Sequence, residues 1–306
     1  MGARRVLIAG ASGFVGRSLT AMLAAEGHHV RALSRRMQNS VPPGVEVVSA
    51  DVARLEPTTR ALRGIDVAYY LVHRLDTLRF ATRDRICAAR FGQAARRAGV
   101  SQIVYLGALG DAAGRHTPHI TSRRETAAEL RRSGVDVCEL RAAVIVGAGS
   151  AVIEAFRELA LRSPVLVVPH GSQHRVEPIV LDDALRFLKA PLTDPRWRGR
   201  TFEIGGGEVL KWCELFKRCV DAGSCSRRMV PMPVATPRLS GLWMRVFADM
   251  PASMATAFIR NLGRDAVVRD LQARQLLGQP AMPLEPAIRS ALATGSPRPR
   301  VSGVYP

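Results

Sequence analysis

The sequence has few cysteines, almost no lysine and no long apolar run. Its five cysteines form no Cys-x-x-Cys pair, which argues against a disulfide scaffold and against the common zinc-binding patterns. No stretch of about 18 uncharged apolar residues occurs, so a transmembrane helix is not expected. The N-terminal segment lacks a signal-peptide cleavage pattern. Together these absences predict a reduced, cytoplasmic protein with buried thiols.

The charge is strongly positive, with 44 Lys and Arg residues against 26 Asp and Glu residues and a net charge of +18. The lysines are only Lys189, Lys211 and Lys217. The arginines are spread along the chain without a dense basic arm or interleaved aromatic residues, so nucleic-acid binding is not expected. Attraction to a phosphorylated cofactor or to an anionic lipid surface fits this pattern better, although GC-rich coding alone also accounts for it.

Strands and helices alternate along the first half of the chain. Buried strands are predicted at residues 5–9, 29–33, 45–49, 67–72, 102–106 and 135–141. Helical spacing is found at residues 14–26 and 77–98, and a third helix begins at Thr117-Pro118 and ends before Gly134. Strands that alternate with helices form βαβ units. The predicted fold class is therefore α/β, a doubly wound parallel Rossmann sheet with a smaller α/β C-terminal lobe.

The second half is less regular, and the chain divides into three predicted parts. Residues 1–150 form a dinucleotide-binding Rossmann core, and residues 151–293 form a substrate or lid lobe that contributes to the same fold. In this lobe, strands are predicted at 165–168, 175–180 and 201–204, and helices at 151–161, 182–189, 210–222 and 239–262. The segment 294–306 is rich in Pro, Gly and Ser and is predicted to be a loose tail.

A glycine-rich turn connects the first predicted strand to the first predicted helix. Glycine removes the Cβ where the turn is tight and where the backbone approaches a pyrophosphate, and the helix N-terminus offers N–H groups to that anion. The candidate cofactor-binding residues in this turn are Gly10, Ser12, Gly13, Phe14, Val15 and Gly16. The alternative is a glycine-rich turn that binds no ligand.

The end of the second strand favours NADP(H) over NAD(H). An acidic residue there would bind the ribose hydroxyls of NAD, whereas this chain has Ser34-Arg35-Arg36. Guanidinium groups suit a 2′-phosphate, and the alternative is that Arg35 and Arg36 merely face solvent. Asp51 and Val52 follow the third strand, where the adenine would lie. Asp51 either accepts from the adenine amino group or caps the next turn.

Five segments resemble the short-chain dehydrogenase/reductase superfamily. They are GASGFVG at 10–16, AYYLVH at 68–73, AGVSQIVYLGAL at 98–109, PHITSRRE at 118–125 and GVDVCELRAAVIVGAGS at 134–150. Within that superfamily, the chain looks like the atypical, NmrA-like branch of NAD(P)-binding proteins, which is related to NAD-dependent epimerase/dehydratase proteins.

The resemblance implies that a dinucleotide lies along the carboxyl ends of the strands. Leu71 and Val72 would line the adenine ribose. The residues expected beside the nicotinamide ribose are Leu106, Gly107 and Ala108. The residues expected near the nicotinamide ring, after the sixth strand, are Ala142, Ala143, Val144 and Ile145. The second half of the chain would form a small substrate-binding lobe over the cleft.

The catalytic residues depart from the pattern of this superfamily. Classical members use Ser or Thr and then Tyr-x-x-x-Lys, whereas none of the four tyrosines here is followed four residues later by lysine. The corresponding helix offers His119 and Arg123, which lie on one helix face, and the serine position corresponds to Gly107 or Ala108. His119 is the candidate proton donor, because an unperturbed imidazole has a pKa of about 6.5. Arg123 is the candidate ligand of the ribose or carboxamide. The alternative is a site that binds cofactor without catalysis.

The combined prediction is an NADP(H)-dependent oxidoreductase that acts on a small or lipophilic carbonyl, enone or imine. The alternative is a non-catalytic NAD(P)-binding redox-sensing regulator, or an assembly or structural protein of the NmrA-like kind. An apolar set between Trp243 and Phe258 is either core or a contact to a membrane surface or a protein complex. No metal site is predicted, because His170 and His174 lack a third ligand at suitable spacing.

Overall fold

The computed structural model describes residues 2–35, 41–73, 80–110, 116–162, 166–168, 170–223, 229–231 and 252–293. Among the predicted features, Arg36, the segment 239–251 and the tail 294–306 lie outside the described residues. Within the described part of the chain, no helix is both long enough and apolar enough to cross a membrane.

A seven-stranded parallel sheet forms the centre of the molecule. Its strands are β1 Arg5–Ala9, β2 His29–Ser34, β3 Glu46–Ser49, β4 Val67–Tyr70, β5 Gln102–Ala108, β6 Asp136–Ala142 and β11 Thr201–Ile204. Their spatial order is β3-β2-β1-β4-β5-β6-β11, and every neighbouring pair is parallel. The strand order reverses between β1 and β4, which is the switch point where open α/β sheets bind their ligands.

Helices cover both faces of this sheet. They are α1 Phe14–Ala25, α2 Leu55–Leu62, α3 Phe80–Arg97, α4 Pro118–Arg132 and α6 Leu181–Lys189. α1 and α6 pack on one face, and α2, α3 and α4 pack on the other. Residues 6–9 of β1 are inaccessible to solvent, as expected for a parallel strand covered on both sides.

The remaining elements form a smaller lobe with its own apolar core. They are β7 Val144–Val146, α5 Ala151–Arg162, β8 Leu166–Val168, β9 Arg175–Val176, β10 Pro178–Val180, β12 Leu210–Lys211, α7 Trp212–Ala222, β13 Met229–Pro231, α8 Ala252–Leu262, α9 Gln272–Leu277 and α10 Leu284–Ala293. Short strand pairs join β7 to β10, β9 to β12 and β8 to β13. Side chains of α5, α7, α8 and α10 fill the core of the lobe.

The predicted α/β class and the Rossmann sheet are confirmed, and the differences from the prediction are local. The strand predicted at 175–180 divides at Glu177, whose buried carboxylate accepts the N–H groups of Gly207 and Val268 at 2.9 and 3.0 Å. The first two residues of the helix predicted at 210–222 instead pair with β9. Helices α2, α9 and α10 are absent from the sequence prediction.

Candidate functional site

The loop between β1 and α1 brings its backbone close to the end of β4. Gly10 has a φ of +90°, and a Cβ there would lie 3.0 Å from the carbonyl carbon and oxygen of Leu71. A Cβ at Gly16 would collide with the carbonyl oxygen of Gly10. Helix α1 starts after Gly13 without a side-chain cap. The loop therefore needs glycine at these positions and leaves the N–H groups of α1 available to an anion.

A cleft of about 190 Å³, here called the nucleotide cleft, runs from this loop along the ends of β2, β3 and β4. Its lining residues are Gly10, Ser12, Gly13, Leu33, Ser34, Arg35, Ala50, Asp51, Val52, Leu71, Val72, His73 and Cys87. Eight of these are predicted cofactor residues, and the additions are Leu33, Ser34, Ala50, His73 and Cys87. The Ser12 and Ser34 hydroxyls hydrogen-bond to each other at 2.8 Å. The lining fits the adenosine and pyrophosphate part of a dinucleotide.

Two arginines border a shallow depression at the outer end of the cleft. Arg35, Ser49, Asp51 and Arg54 line it, and Arg35 is exposed directly after β2. Asp51 Oδ1 accepts the N–H of Ala53 at 2.9 Å, so this carboxylate caps the following turn while it also lines the nucleotide cleft. Sequence reasoning missed Arg54, although an arginine three residues after Asp51 was a usable signal.

A second cavity, here called the apolar cavity, lies between the ends of β5 and β6 and the smaller lobe. Its volume is about 200 Å³. Apolar side chains form most of its wall, including Ile120, Val152, Trp212 and Phe258. The rings of Trp212 and Phe258 meet edge to face with centroids 5.7 Å apart. The predicted site residues that line this cavity are Ala108, His119, Ala143 and Val144. Sequence reasoning did not assign Trp212 or Asn261 to the site.

His119 lines the apolar cavity, and His73 beside it lines the nucleotide cleft. Their ring centroids are 5.0 Å apart. His73 Nδ1 is hydrogen-bonded to Oδ2 of the buried Asp84 at 2.7 Å, and the Ser122 hydroxyl donates to the same oxygen at 3.5 Å. We call Asp84, His73 and His119 the histidine cluster. It lies where the two cavities approach each other.

Arg123 lies one helical turn beyond His119 and supports the same region. Its Nη1 donates to the carbonyl oxygen of Leu106 at 3.4 Å. The Tyr105 hydroxyl donates to the Arg123 carbonyl oxygen at 3.1 Å. The predicted pairing of His119 and Arg123 on one helix face is therefore present, with the guanidinium directed at the end of β5.

Burial favours the neutral forms of the histidine cluster. It lowers the pKa of His119 to about 2, and Arg123 and then His73 act in the same direction. Burial, followed by Arg123, also lowers the pKa of His73 well below its ordinary value. Burial raises the pKa of the Asp84 carboxyl to about 6, against the opposing effects of Arg123 and Ser122. His119 is thus a neutral imidazole, and the expectation of an imidazolium acid near neutrality is wrong for this environment.

Several buried nitrogens near the cavities lack a hydrogen-bond partner among the described residues. They include His73 Nε2, His119 Nδ1, Arg123 Nε and Trp212 Nε1. A buried polar atom without a partner costs about 1–3 kcal/mol. Such atoms cluster at functional sites, where a ligand or a change of side-chain conformation provides the missing partner.

The other predicted cofactor residues that the structure describes are not among those that line the two cavities. Phe14 begins α1, and Val15 packs in the core between α1 and the sheet. Gly107 lies in β5 and Ala142 in β6. Ile145 lies in β7 and packs against the same core as Val15. They belong to the elements that carry the cavity walls.

Comparison with known proteins agrees with this arrangement. Residues 10–149 match the sequence profile of a family described as NAD(P)H-binding. Ceramide reductase of Caulobacter vibrioides is 27% identical over 245 residues, which are 74% of this chain and 73% of that protein. The Mycobacterium tuberculosis protein named 3 beta-hydroxysteroid dehydrogenase/Delta 5-->4-isomerase is 26% identical over 285 residues, 79% of this chain and 76% of that protein.

A solved structure shows the same fold over nearly the whole chain. The Citrobacter sp. triphenylmethane reductase complexed with NADP(H) matches with a TM-score of 0.76 at 19% identity, covering 94% of this chain and 99% of that chain. The resemblance to NAD(P)-binding short-chain dehydrogenase-like proteins is confirmed. Residues 10–149 therefore form an NAD(P)-binding Rossmann domain, and the rest of the chain shares its fold with the solved relative.

Proposed function

We propose that this protein reduces a compact apolar carbonyl, enone or imine with NADPH. The observation that carries the proposal is the apolar cavity next to His119, at the inner end of the nucleotide cleft. Its volume of about 200 Å³ exceeds the roughly 150 Å³ that holds benzene in an engineered protein cavity. A group of one or two rings therefore fits beside the histidine cluster.

The residues of the nucleotide cleft fit a dinucleotide. The crowding around Gly10 and Gly16 leaves no room for side chains, while the uncapped start of α1 offers N–H groups to a pyrophosphate. Arg35 and Arg54 border the depression where a 2′-phosphate would lie. Guanidinium groups bind phosphate through paired hydrogen bonds, which supports a preference for NADP(H).

The chain's own residues provide binding and proton transfer at the reaction centre. Bound NADPH would supply the hydride. His119 would donate an N–H to the substrate oxygen or nitrogen, and its low pKa makes the neutral ring the donor. Arg123 holds the end of β5 through the Leu106 carbonyl. No hydroxyl stands at Gly107 or Ala108, so His119 carries the role that Ser and Tyr share in classical members.

The names of two of the compared proteins support a reductive direction, while another is named a dehydrogenase. One curated relative is named a reductase, and one solved neighbour is a reductase complexed with NADP(H). Their substrates are their own, and the apolar lining around Trp212 and Phe258 is what supports a lipophilic substrate here. The NmrA-like assignment and the cytoplasmic location stay predictions.

The cofactor preference is tested by titrating the purified protein with NADPH and NADH while intrinsic fluorescence is followed. Arg35→Ala and Arg54→Ala should each weaken NADPH binding by about tenfold, since each removes an exposed charge-assisted contact worth about 1.4 kcal/mol. NADH binding should not change. Arg60→Ala, an exposed arginine in the last turn of α2, is the matched control. Equal affinity for both cofactors in the unaltered protein would contradict the preference.

The reaction is tested by following NADPH oxidation with decalone, cyclohexenone and a monocyclic imine. Turnover with at least one of these probes, and its loss in His119→Phe, is the expected result. Tight NADPH binding without turnover of any probe would instead support the alternative of a non-catalytic NAD(P)-binding regulator.

A further inference from the structure

We propose that Asp84 and His73 form a proton relay that recharges His119 during reduction. The relay rests on the proposed function, because it delivers its proton to the substrate of that reaction. It assigns roles to two residues that lie outside the predicted catalytic pair. Asp84 is the proton source, and His73 is the carrier between Asp84 and His119.

The first link of the relay is formed in the structure. Asp84 belongs to α3 and is buried, and its Oδ2 is 2.7 Å from His73 Nδ1. A carboxyl group and an imidazole at this distance share one proton. When Asp84 holds the proton, His73 accepts at Nδ1 and carries its own hydrogen on Nε2. When Asp84 is ionised, His73 donates from Nδ1 and Nε2 is free to accept.

The second link needs only a reorientation of two neighbouring rings. The centroids of His73 and His119 are 5.0 Å apart, with an interplanar angle of 56°. His73 Nε2 and His119 Nδ1 are both buried and lack a hydrogen-bond partner among the described residues. At this centroid separation, facing ring nitrogens approach to the hydrogen-bond range of about 2.7–3.2 Å when the rings turn toward one another. The two unpartnered nitrogens are thus each other's available partners.

The transfer is balanced at every atom. As the substrate carbonyl accepts a hydride, His119 releases its Nε2 proton to the developing alkoxide. His119 Nδ1 takes the Nε2 proton of His73, and His73 Nδ1 takes the proton of Asp84. The products are the alcohol, two neutral imidazoles with exchanged tautomers and the Asp84 carboxylate. Between turnovers, water that enters the apolar cavity protonates His119 at Nε2. His119 Nδ1 then returns its proton to His73 Nε2, and His73 Nδ1 returns its proton to Asp84.

The surroundings of Asp84 set the pH below which its carboxyl carries the proton that the relay delivers. Six polar groups lie around the Asp84 carboxyl, on α3, α4, β4, β5 and the segment after β4. They are Tyr70, His73, Cys87, Tyr105, Ser122 and Arg123. Burial raises the pKa of Asp84 to about 6, and Arg123 and Ser122 oppose this. Reduction should therefore slow as pH rises through this value, because Asp84 loses the proton that the relay delivers.

One test observes the relay without any substrate. The imidazole nitrogens of ¹⁵N-histidine-labelled protein are followed by NMR from about pH 5 to about pH 8, with and without NADPH. In the unaltered protein, His73 should change from the Nε2–H to the Nδ1–H tautomer with a midpoint near 6. In Asp84→Asn the tautomer should not change. A single His73 tautomer across the whole range in the unaltered protein overturns the relay.

A second test uses decalone reduction and separates a relay from a structural role. Asp84→Asn should lower kcat by about 100-fold and flatten its pH profile, while KM for decalone and Kd for NADPH stay within about threefold. His29→Gln, an exposed histidine at the start of β2, is the control and should keep the original profile. The relay would be contradicted if KM and Kd rise and the melting temperature falls together while the pH profile of kcat stays unchanged.

Ser122→Ala provides a milder variant if Asp84→Asn fails to fold. Its hydroxyl opposes the rise in the Asp84 pKa, so its removal should move the midpoint of the kcat profile to higher pH. An unmoved midpoint contradicts the assignment of that midpoint to Asp84. If the unaltered protein reduces none of the probes, the proposed function fails, and the NMR measurement still decides whether the relay exists.

Discussion

Replacement of Gly16 by alanine tests the nucleotide loop most directly, because two effects of known size oppose each other there. Gly16 lies in α1, where alanine is favoured over glycine by about 1 kcal/mol. The added Cβ, however, would lie 2.9 Å from both the Ala11 Cα and the Gly10 carbonyl carbon, and would collide with the Gly10 carbonyl oxygen. These are backbone atoms, so no rotamer change relieves the contact, and we take the upper end of the overpacking cost, about 3 kcal/mol.

The net expectation for Gly16→Ala is a destabilisation of about 2 kcal/mol, which lowers the melting temperature of a chain of this length by about 3 °C. Because the loop itself must move, NADPH binding should weaken by at least about tenfold. Thermal unfolding and fluorescence titration measure the two effects. Gly27→Ala is the control: its φ is +83° with nothing within 4 Å of the added Cβ, so it should lose stability but keep NADPH affinity. A Gly16→Ala protein that melts no lower and binds NADPH normally would refute the reasoning.

Three further outcomes are expected. Thr117 Oγ1 accepts the Ile120 N–H at 3.3 Å and donates to Asn261 at 2.7 Å, so Thr117→Ala should lower the free energy of unfolding by about 1–2 kcal/mol with unchanged NADPH affinity; equal urea midpoints would contradict this. Asp84 has a folded-state pKa raised from 3.8 to about 6, so its folded form holds the proton more tightly and its contribution to stability falls as pH rises through that window. The stability of Asp84→Asn relative to the unaltered protein should therefore increase by up to about 3 kcal/mol between about pH 4 and pH 7, and a pH-independent difference in urea unfolding would exclude this. Trp212→Leu should raise KM for decalone by about tenfold with Kd for NADPH unchanged, since the indole forms a wall of the apolar cavity only; a change in both constants would argue against separate cavities.

The sheet was predictable because its strands are short apolar runs bounded by glycine or polar residues. β1 and β11 agree with the prediction residue for residue. β4 was predicted to extend to Val72 but ends at Tyr70. The Leu71 N–H still donates to the carbonyl oxygen of Ala9. The backbone of Leu71 then lies against Gly10, so residues 71–72 no longer pair with β1. Helix α2 escaped prediction because it has only eight residues, a proline in its first turn and little apolar content.

The nucleotide cleft was also largely predictable, since its residues follow one another at the ends of consecutive strands. The apolar cavity was not, because α7 and α8 bring Trp212 and Phe258 to it from distant parts of the sequence. Asp84 was not predicted as a site residue because it is one of many charged residues in its helix. Its signal was its spacing: Asp84, Cys87, Ala88 and Phe91 recur at the interval of a buried helix face, which marks a carboxyl that faces the core.

The position of His73 depends on the same crowding that shapes the nucleotide loop. Because Gly10 lacks a Cβ, the backbone of Leu71 can lie against it, and the chain then reaches His73 two residues later. His73 in turn meets Asp84 on α3 and His119 on α4. A displacement of the Gly10 loop is therefore passed through a two-residue segment to the histidine cluster. Cofactor binding and proton supply share one short piece of backbone, so the geometry of one constrains the other.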